Sequence, residues 1–493
     1  MYYLGIDLGS SSIKLALVST TTGKPIGVVQ EPEQEMSMYA EKKGWAEQDP
    51  NEWWSYVCKG IQKIKKEFQI SSSEIVGIGI AYQMHGLVII DKEGNPLRKA
   101  IIWCDSRAVE IGNQAYKNLG TTYCDTHLLN SPANFTASKL RWVRENEPDT
   151  YAKINKFMLP GDFIAMKFSG QINTTLSGIS EGILWDFKND TVANELLKAY
   201  EISEDLIPDL VETFDTQSTV SQLGESQSGL LKGTPITYRA GDQPNNALSL
   251  NVFHPGEIAA TGGTSGVMYA VTDHLSVKEC ARVNNFAHVN YSTEHKKSIG
   301  KLLCINGAGI QYRWLRDNLE VASYEEMNHL ASGIEVGSDG VSIIPFGNGA
   351  ERILRNMDIG TRIYNLNLNR HHKGHLCRAA LEGIAFSFIY GFEIMQADGV
   401  KPKVIRAGND NLFRSEIFAL TIATLMQQDI EIYNTTGAIG AARACSLIKN
   451  DYSTFSSFLR NDHVMTYEPL EDTSAYTKAY NNWKKELELI VKN

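Results

Sequence analysis

The chain has 493 residues, of which 43% are hydrophobic and 21% are charged. At roughly 100–200 residues per domain, this length predicts two to four domains with sizeable cores. Its 57 acidic and 47 basic side chains give a net charge of −10, which disfavours nucleic acid or an anionic membrane as the main partner.

Seven cysteines are scattered without CxxC spacing, a pattern typical of reduced thiols in a cytoplasmic protein and unlike a zinc site. The N-terminus, MYYLGID, lacks the basic and apolar segments of a signal peptide. The apolar runs, such as IVGIGIAY at 75–82, are far shorter than the roughly 20 residues of a membrane helix. We therefore expect a cytoplasmic protein that does not enter a membrane.

The first 82 residues predict an α/β unit. Strand-like YYLGIDLG, IKLALVST and GKPIGVVQ come first, around a turn rich in glycine and serine. The segment PNEWWSYVCKGIQKIKKEF has apolar residues at helical spacing and follows a start signal at Asp49. The next segment, IVGIGIAY, predicts a buried strand. The order β-β-β-α-β favours a mixed sheet.

A similar order begins again in the second half. The segment GEIAATGGTSGVMYAVTD at 256–273 repeats strand, glycine-rich turn and strand. Helix-like HLCRAALEGIAFSFIYGFEIMQA, strand-like KVIRAG, helix-like SEIFALTIATLM and strand-like IEIY follow. We therefore predict two similar α/β domains, 1–248 and 249–493, divided near the Pro-Gly break of NVFHPGE, with a ligand cleft between them.

The loop GIDLGSSSIK at 5–14 has the composition of a phosphate site. Small residues let backbone N–H groups approach a phosphate, and hydroxyls add donors. A carboxylate at a strand end can hold Mg²⁺ through water. The candidates are Asp7, Gly9, Ser10, Ser11, Ser12 and Lys14. A plain hairpin turn has the same composition, so this loop alone leaves both interpretations open.

The segment TGGTSG at 261–266 favours the phosphate interpretation, because a nucleotide cleft between repeated domains needs a second loop of small residues. Its candidates are Gly262, Gly263, Thr264 and Gly266. Asp242 follows strand-like PITYRA, between the two loops in the chain. A kinase needs a carboxylate near the attacking hydroxyl. The alternative, a helix N-cap, is compatible with that role.

Two further segments supply cleft candidates. His85 of YQMHG could bond a polar substrate, although a lone histidine is more often structural, and Asp105 either faces the cleft or pairs with Arg107. In RAGND at 406–410, Gly408 would let the backbone pass under an adenine, unless the segment is an ordinary turn. The chain has no GxxxxGK[ST] loop and no HRD or DFG set, so a phosphotransferase here is of another type.

Nine segments, in order along nearly the whole chain, resemble the FGGY family of sugar kinases, which have the actin-like (ribonuclease H-like) ATPase fold. They are GIDLGSSSIK, GWAEQDPNEWW, QMHGLV, AIIWCDSR, FTASKLRWVRENEP, AGDQ, GGTSG, AGNDN and GAIGAARA. The resemblance implies two actin-like α/β domains with a cleft between them. It also implies ATP- and Mg²⁺-dependent phosphorylation of a ketopentose, D-xylulose to D-xylulose 5-phosphate in the branch that the motifs match best.

The resemblance implies residue roles as well. Asp242 stands where the family has its catalytic base, and Asp7 where it holds Mg²⁺ beside the phosphates. Met84 and His85 match a sugar-contacting pair. The predicted nucleotide contacts are Ser11, Ser12, Lys14, Gly263, Thr264, Gly309, Gly408 and Asn411, and the predicted substrate contacts also include Gln243 and Asp105.

Two stretches depart from the family pattern, and a third distinguishes the chain from glycerol kinases. The adenosine run is RAGN instead of GGGA, so the adenine contacts differ residue by residue. Glu181 of SGISEGILWDF stands where a small residue is common, which bears on sugar choice or on a domain contact. The pair Met84-His85 replaces the Arg-Glu pair usual in glycerol kinases, which disfavours glycerol.

Two rival interpretations stay open at this stage. The first is a kinase for another ketose, a pentitol or gluconate. The second is a non-catalytic actin-like protein that binds nucleotide, which the presence of Asp7, Asp242 and QMHG disfavours. The expected partners are a small sugar and ATP, and a homodimer is one assembly to test.

Overall fold

A computed structural model describes residues 1–275, 277–294 and 297–492. Thirteen of the twenty-three strands in these residues belong to two large sheets, one from each half of the chain, with helices packed against them. Of the helices in these residues, none combines the length and the apolar composition that would span a bilayer.

The first half contains fourteen strands and ten helices. The strands are β1 (Tyr2–Leu8), β2 (Ile13–Ser19), β3 (Pro25–Glu31), β4 (Glu47–Gln48), β5 (Ile75–Tyr82), β6 (Val88–Ile90), β7 (Ala100–Ile101), β8 (Lys156–Met158), β9 (Asn173–Thr175), β10 (Trp185–Asp186), β11 (Thr191–Val192), β12 (Asp209–Val211), β13 (Phe214–Thr219) and β14 (Pro235–Gly241). The helices are α1 (Pro50–Glu67), α2 (Val109–Leu119), α3 (Thr121–Tyr123), α4 (Thr136–Asn146), α5 (Pro148–Tyr151), α6 (Pro160–Ser169), α7 (Leu176–Glu181), α8 (Asn194–Tyr200), α9 (Gln222–Ser228) and α10 (Asp242–Ser249).

The described part of the second half adds nine strands and seven helices. The strands are β15 (Glu257–Gly262), β16 (Gly266–Thr272), β17 (Asn284–Ala287), β18 (Ile299–Ile305), β19 (Ser342–Ile344), β20 (Arg362–Tyr364), β21 (Val404–Gly408), β22 (Ile430–Tyr433) and β23 (His463–Tyr467). The helices are α11 (Gly309–Asn318), α12 (Tyr324–Ser332), α13 (Lys373–Ala397), α14 (Glu416–Met426), α15 (Gly437–Ala444), α16 (Tyr452–Leu459) and α17 (Ser474–Lys492).

The two sheets repeat one strand order. In the first sheet the strands run β3-β2-β1-β5-β14, and in the second they run β18-β16-β15-β21-β22. The first three strands of each order are antiparallel, and the last two join in parallel. Each glycine-rich loop therefore joins the central strand to its antiparallel neighbour, at matching places. The predicted repeat is confirmed, and the fold brings both loops to corresponding sheet edges.

Side-chain alternation along β1 decides what each face of the first sheet contacts. Leu4, Ile6 and Leu8 are buried in one core with residues of α1 and α6. Because successive side chains point to opposite faces, Gly5 and Asp7 face the other side. There the sheet contacts α15, and a Cβ on Gly5 would overlap the Ala438 carbonyl.

Helix α15 thus packs on the first sheet although it belongs to the second half of the sequence. It contacts β1, β2, β5 and α10. The seam is made of small residues: a Cβ on Gly79 would overlap the Ala441 carbonyl, and one on Gly440 would overlap Ser249. The halves also meet at α7 and β17. The division at residue 248 stays a prediction.

Candidate active site between the two sheets

Asp7 lies near the end of β1, on the face covered by α15. A Cβ on Gly437, the first residue of α15, would lie 2.5 Å from Asp7 Oδ2. In the described part of the chain the Asp7 carboxylate accepts no side-chain or backbone hydrogen bond. Burial raises its pKa above the ordinary value, and the nearby charge of Lys14 acts in the opposite direction. The geometry leaves both carboxylate oxygens available to a ligand.

The loop after β1 is held by its carbonyl groups. The Gly9 N–H donates to the Asp7 and Ser12 carbonyls at 3.2 and 3.1 Å, which closes a tight turn. Gln48 Nε2 donates to the Ser10 carbonyl at 2.7 Å, and the Met36 N–H donates to the Ser11 carbonyl at 2.8 Å. The Gly9 N–H is thus used inside the turn, whereas the hydroxyls of Ser11 and Ser12 bond no described residue and stay available to an anion.

The second loop lines a cavity of about 350 Å³ in the second half of the chain. The Gly309 N–H donates to the Gly263 carbonyl at 3.1 Å, and the Ile310 N–H donates to the Thr264 carbonyl at 3.1 Å. The cavity brings together four of the predicted nucleotide contacts, namely Gly263, Thr264, Gly309 and Asn411, and its other lining residues include Tyr312, Arg313 and Arg414. Gly408 is not among its described lining residues, so it lies outside this group.

Asp242 begins α10 directly after β14. The N-cap is Gly241 and Asp242 is the first helical residue, so the alternative role as N-cap is wrong by one position. Burial raises the pKa of Asp242 to about 7, with the negative charge of Asp7 acting in the same direction and hydrogen bonds from Gln243 acting against it. Asp7 and Asp242 are therefore electrostatic neighbours.

Helix α10 ties this carboxylate pair to α15. Asn245, less than one turn after Asp242, donates from Nδ2 to the Gly437 carbonyl at 3.0 Å. The second sheet is also close to Asp242. Burial raises the pKa of the Cys304 thiol on β18 to about 11, and the negative charges of Glu351 and Asp242 act in the same direction. Asp242 consequently lies where both halves of the chain approach each other.

Met84 and His85 form a turn beside Asp242. Met84 is buried, and a Cβ on Gly241 would lie 2.5 Å from Met84 Cγ. His85 has a left-handed backbone, with φ of 61°, which costs a non-glycine residue of the order of 1 kcal/mol or more. Burial lowers the pKa of His85 to about 3, and the positive charges of Lys139 and Arg352 add to that effect. His85 is therefore neutral at physiological pH.

Glu181, at the end of α7, belongs to this group although it was not among the predicted site residues. Its side chain is fully buried, and its Oε1 accepts the His85 N–H at 3.2 Å. Burial raises the pKa of Glu181 well above its ordinary value, and the charge of Asp242 adds to the effect. The only sequence signal was its departure from the family's small residue.

The Asp105 carboxylate is bonded by groups of the protein itself. It is fully buried, and its two carboxylate oxygens accept hydrogen bonds from the guanidinium and N–H of Arg107 and from the Ala46 N–H at 2.6 Å. Arg107 in turn stacks on the Trp45 ring, 3.7 Å from its centroid. The pairing of Asp105 with Arg107 is therefore the arrangement found, and a contact of Asp105 with the substrate stays a prediction.

Comparisons with known proteins bear on the family and the fold of the chain. Residues 2–249 match the model of the FGGY family of carbohydrate kinases, N-terminal domain. A xylulose kinase of Staphylococcus epidermidis is 28% identical over 487 residues, 97% of this chain and 95% of its own. A probable L-xylulose kinase of Haemophilus influenzae is 25% identical over 99% of both chains. The crystal structure of a xyloylose kinase from Brucella ovis matches with a TM-score of 0.88, 24% identity and 99% coverage of both chains. The predicted fold class, two actin-like (ribonuclease H-like) α/β domains with a cleft, is confirmed.

Proposed function

The chain belongs to the FGGY family of carbohydrate kinases, and from this premise we propose that it transfers the γ-phosphoryl group of ATP to the terminal hydroxyl of a ketopentose. The first candidate is D-xylulose, which would give D-xylulose 5-phosphate. Two of its relatives are a xylulose kinase and a probable L-xylulose kinase, and both names support a xylulose as substrate.

One observation carries the proposal: Asp242 is a carboxylate beside Asp7, with a pKa raised to about 7. A general base works best when its pKa lies near the working pH, because it is then largely ionised and still basic enough to take a proton. An ordinary surface aspartate, at a pKa near 3.9, would be a much weaker base. This environment supports Asp242 as the group that receives the hydroxyl proton.

The sugar would bind against Met84, His85 and Asp242. Its 5-hydroxyl donates its hydrogen bond to the Asp242 carboxylate, which takes the proton as the hydroxyl oxygen forms its bond to the γ-phosphorus. The bond from that phosphorus to the bridging oxygen of ADP breaks on the opposite side. In phosphoryl transfer most of the catalysis is positioning and charge stabilisation, which the hydroxyls of Ser11, Ser12 and Thr264 would supply.

Asp7 fits a divalent cation. Its carboxylate has no hydrogen-bond donor in the described residues, and the facing position on α15 is a glycine that adds no bulk. Magnesium prefers oxygen ligands and keeps several waters, so Asp7 would hold Mg²⁺ through water. When bound, the ion supplies positive charge to the phosphates of ATP.

A panel of sugars in a coupled assay of ADP release tests this proposal. D-xylulose, L-xylulose, D-ribulose, xylitol and gluconate are compared by kcat/KM, with 5-deoxy-D-xylulose as the matched control that lacks the attacking hydroxyl. We expect D-xylulose to rank first and the 5-deoxy sugar to give no stimulation. A higher kcat/KM for xylitol or gluconate would refute the ketopentose assignment. ATP binding without stimulation by any sugar would support the non-catalytic rival.

Two further predictions concern the oligomeric state of the protein and its location in the cell. A homodimer stays a prediction, and light scattering would then give twice the chain mass of 54.8 kDa. A cytoplasmic location also stays a prediction, and cell fractionation measures it.

A further inference from the structure

His85 is held through three of its polar groups. Its backbone N–H donates to Glu181 Oε1 at 3.2 Å. Its ring Nδ1 lies 3.0 Å from the Glu181 carbonyl oxygen, and its own carbonyl accepts from Lys139 Nζ at 2.8 Å. Two of the three bonds come from Glu181, once through its side chain and once through its backbone. The left-handed turn at His85 is therefore fixed mainly by the end of α7.

These bonds determine which ring nitrogen carries the proton. A carbonyl oxygen can only accept a hydrogen bond, so Nδ1 must donate to Glu181. Because His85 is neutral, with a pKa of about 3, Nε2 has no proton and presents a lone pair. Nε2 has no hydrogen-bond partner in the described part of the chain, and the side chain is only partly buried.

The ring lies between the two halves of the chain. Its centroid is 4.6 Å from that of Phe135 in the first half and 5.3 Å from that of Phe286 in the second. The apolar contacts fix the plane of the ring without offering it a donor. The bare Nε2 is consequently an acceptor with no donor among the described residues, on the residue that follows Met84.

Glu181 has no second task that would explain a buried carboxyl at this point. The side chain is fully buried, and Oε2 has no hydrogen-bond partner among the residues that the structure describes. Oε2 faces Gly241, where a Cβ would overlap it. A buried polar atom without a partner is unfavourable, so a residue of this kind at a domain junction calls for a functional reason.

We propose that Glu181 is a positioning residue for the sugar: it fixes His85 as a hydrogen-bond acceptor, so that the substrate must offer a hydroxyl proton at this point. A carbonyl or carboxylate oxygen placed against Nε2 would be repelled, because both atoms present lone pairs. This repulsion disfavours an aldonate that binds with its carboxylate against Nε2. The sugar part of this inference rests on the proposed function, whereas the state of the His85 ring does not.

Two variants separate the hydrogen bond from the charge of the carboxyl. Glu181→Gln keeps an oxygen at the Oε1 position and nearly the same volume. Glu181→Met keeps the volume and removes the acceptor. Glu382→Met is the control, because Glu382 is also buried but lies on α13, where it accepts from Arg378 and Gly337. All three are compared with the wild type for sugar KM, ATP KM and kcat.

We expect Glu181→Met to raise the sugar KM by about tenfold or more, the usual effect of losing an oriented hydrogen bond, with the ATP KM within about twofold. Glu181→Gln should stay within about threefold of the wild type in all three constants. Glu382→Met should lower stability and leave the sugar KM unchanged. Equal loss in both Glu181 variants, or a sugar KM unchanged by Glu181→Met, would overturn the proposal.

A measurement without substrate tests the ring directly. In the full chain labelled with ¹⁵N-histidine, the His85 signals are assigned by their loss in His85→Gln. We expect the wild type and Glu181→Gln to show a protonated Nδ1 and a bare Nε2 at pH 7. Glu181→Met keeps the backbone carbonyl that accepts from Nδ1 but loses the Oε1 acceptor of the His85 N–H, so we expect it to keep this tautomer with broadened ring signals. A proton on Nε2 in the wild type would overturn the proposal. If no sugar in the panel is phosphorylated, the proposed function fails while this result still decides the state of His85.

Discussion

Replacing Asp242 by asparagine should abolish most activity and at the same time stabilise the protein above neutral pH. Asparagine keeps the size of the side chain but cannot take the hydroxyl proton. Loss of a general base typically lowers kcat by about 10²–10⁴-fold. In the wild type, activity should fall about tenfold for each pH unit below the pKa of about 7, because only the ionised carboxylate accepts the proton.

The stability effect follows from the same pKa. The carboxyl has a pKa of 3.8 in the unfolded chain and about 7 in the fold, so between these values the folded state keeps a proton that the unfolded chain has released. The free energy of unfolding therefore falls as pH rises through this interval, and the loss is complete above pH 7. At about 1.4 kcal/mol for each pH unit, the upper bound is about 4 kcal/mol.

Two effects reduce this value. Asp242 is partly exposed, so water screens part of the cost. The helix dipole stabilises the negative charge at the start of α10 by about 0.3–1 kcal/mol. The neutral asparagine lacks this stabilisation. We therefore expect Asp242→Asn to gain about 1–3 kcal/mol at pH 8 and almost nothing at pH 4.

Thermal unfolding of both proteins from pH 4 to pH 8, beside sugar-dependent ADP release, measures the two effects together. A gain of a few degrees in Tm should appear only toward pH 8. Turnover near that of the wild type would refute the role as base. A Tm difference that does not change with pH would refute the electrostatic reasoning, because asparagine would then act through packing.

Three other substitutions test the nucleotide side of the cleft. Asp7→Asn should raise the Mg²⁺ concentration needed for half-maximal activity by about tenfold, since one carboxylate charge is lost; an unchanged requirement in a Mg²⁺ titration contradicts the metal role. Gly309→Ala should raise the ATP KM more than the sugar KM, because a Cβ there overlaps the Gly263 carbonyl, and initial-rate kinetics that show the opposite order would contradict this. Gly437→Ala should resemble Asp7→Asn in the Mg²⁺ titration, because its Cβ would lie 2.5 Å from Asp7 Oδ2, and a wild-type titration curve would exclude that contact.

The local patterns of the sequence predicted the fold well. Apolar β-rich runs and helical spacing are properties of neighbouring residues, so β1, β2, β3, α1 and β5 could be predicted from them. The second glycine-rich loop, flanked by apolar strands, made the repeat visible. Packing of α15 on the first sheet could not be predicted, because it depends on contacts between residues more than 400 positions apart, such as Gly5 with Ala438.

The same contrast between local patterns and contacts distant in sequence applies to the candidate site. The two phosphate loops and Asp242 were visible because small residues or a carboxylate at strand ends have a local signature. Asp105 left two alternatives open, and its burial against Arg107 and Ala46 could be known only from the fold. The bonds between His85 and Glu181 span 96 positions, so the sequence could mark Glu181 as unusual without giving it a partner.

The position of α15 also decides what a fragment of this protein can be. The family model ends at residue 249, but the face of the first sheet that carries Gly5 and Gly79 is covered by residues 437–444. A polypeptide that stops at the predicted boundary lacks α15. The glycine-rich face of the first sheet that α15 covers would then be exposed. Residues 437–444 therefore complete one face of the first sheet, and we expect a gene divided at that boundary to encode a first piece in which this face is uncovered.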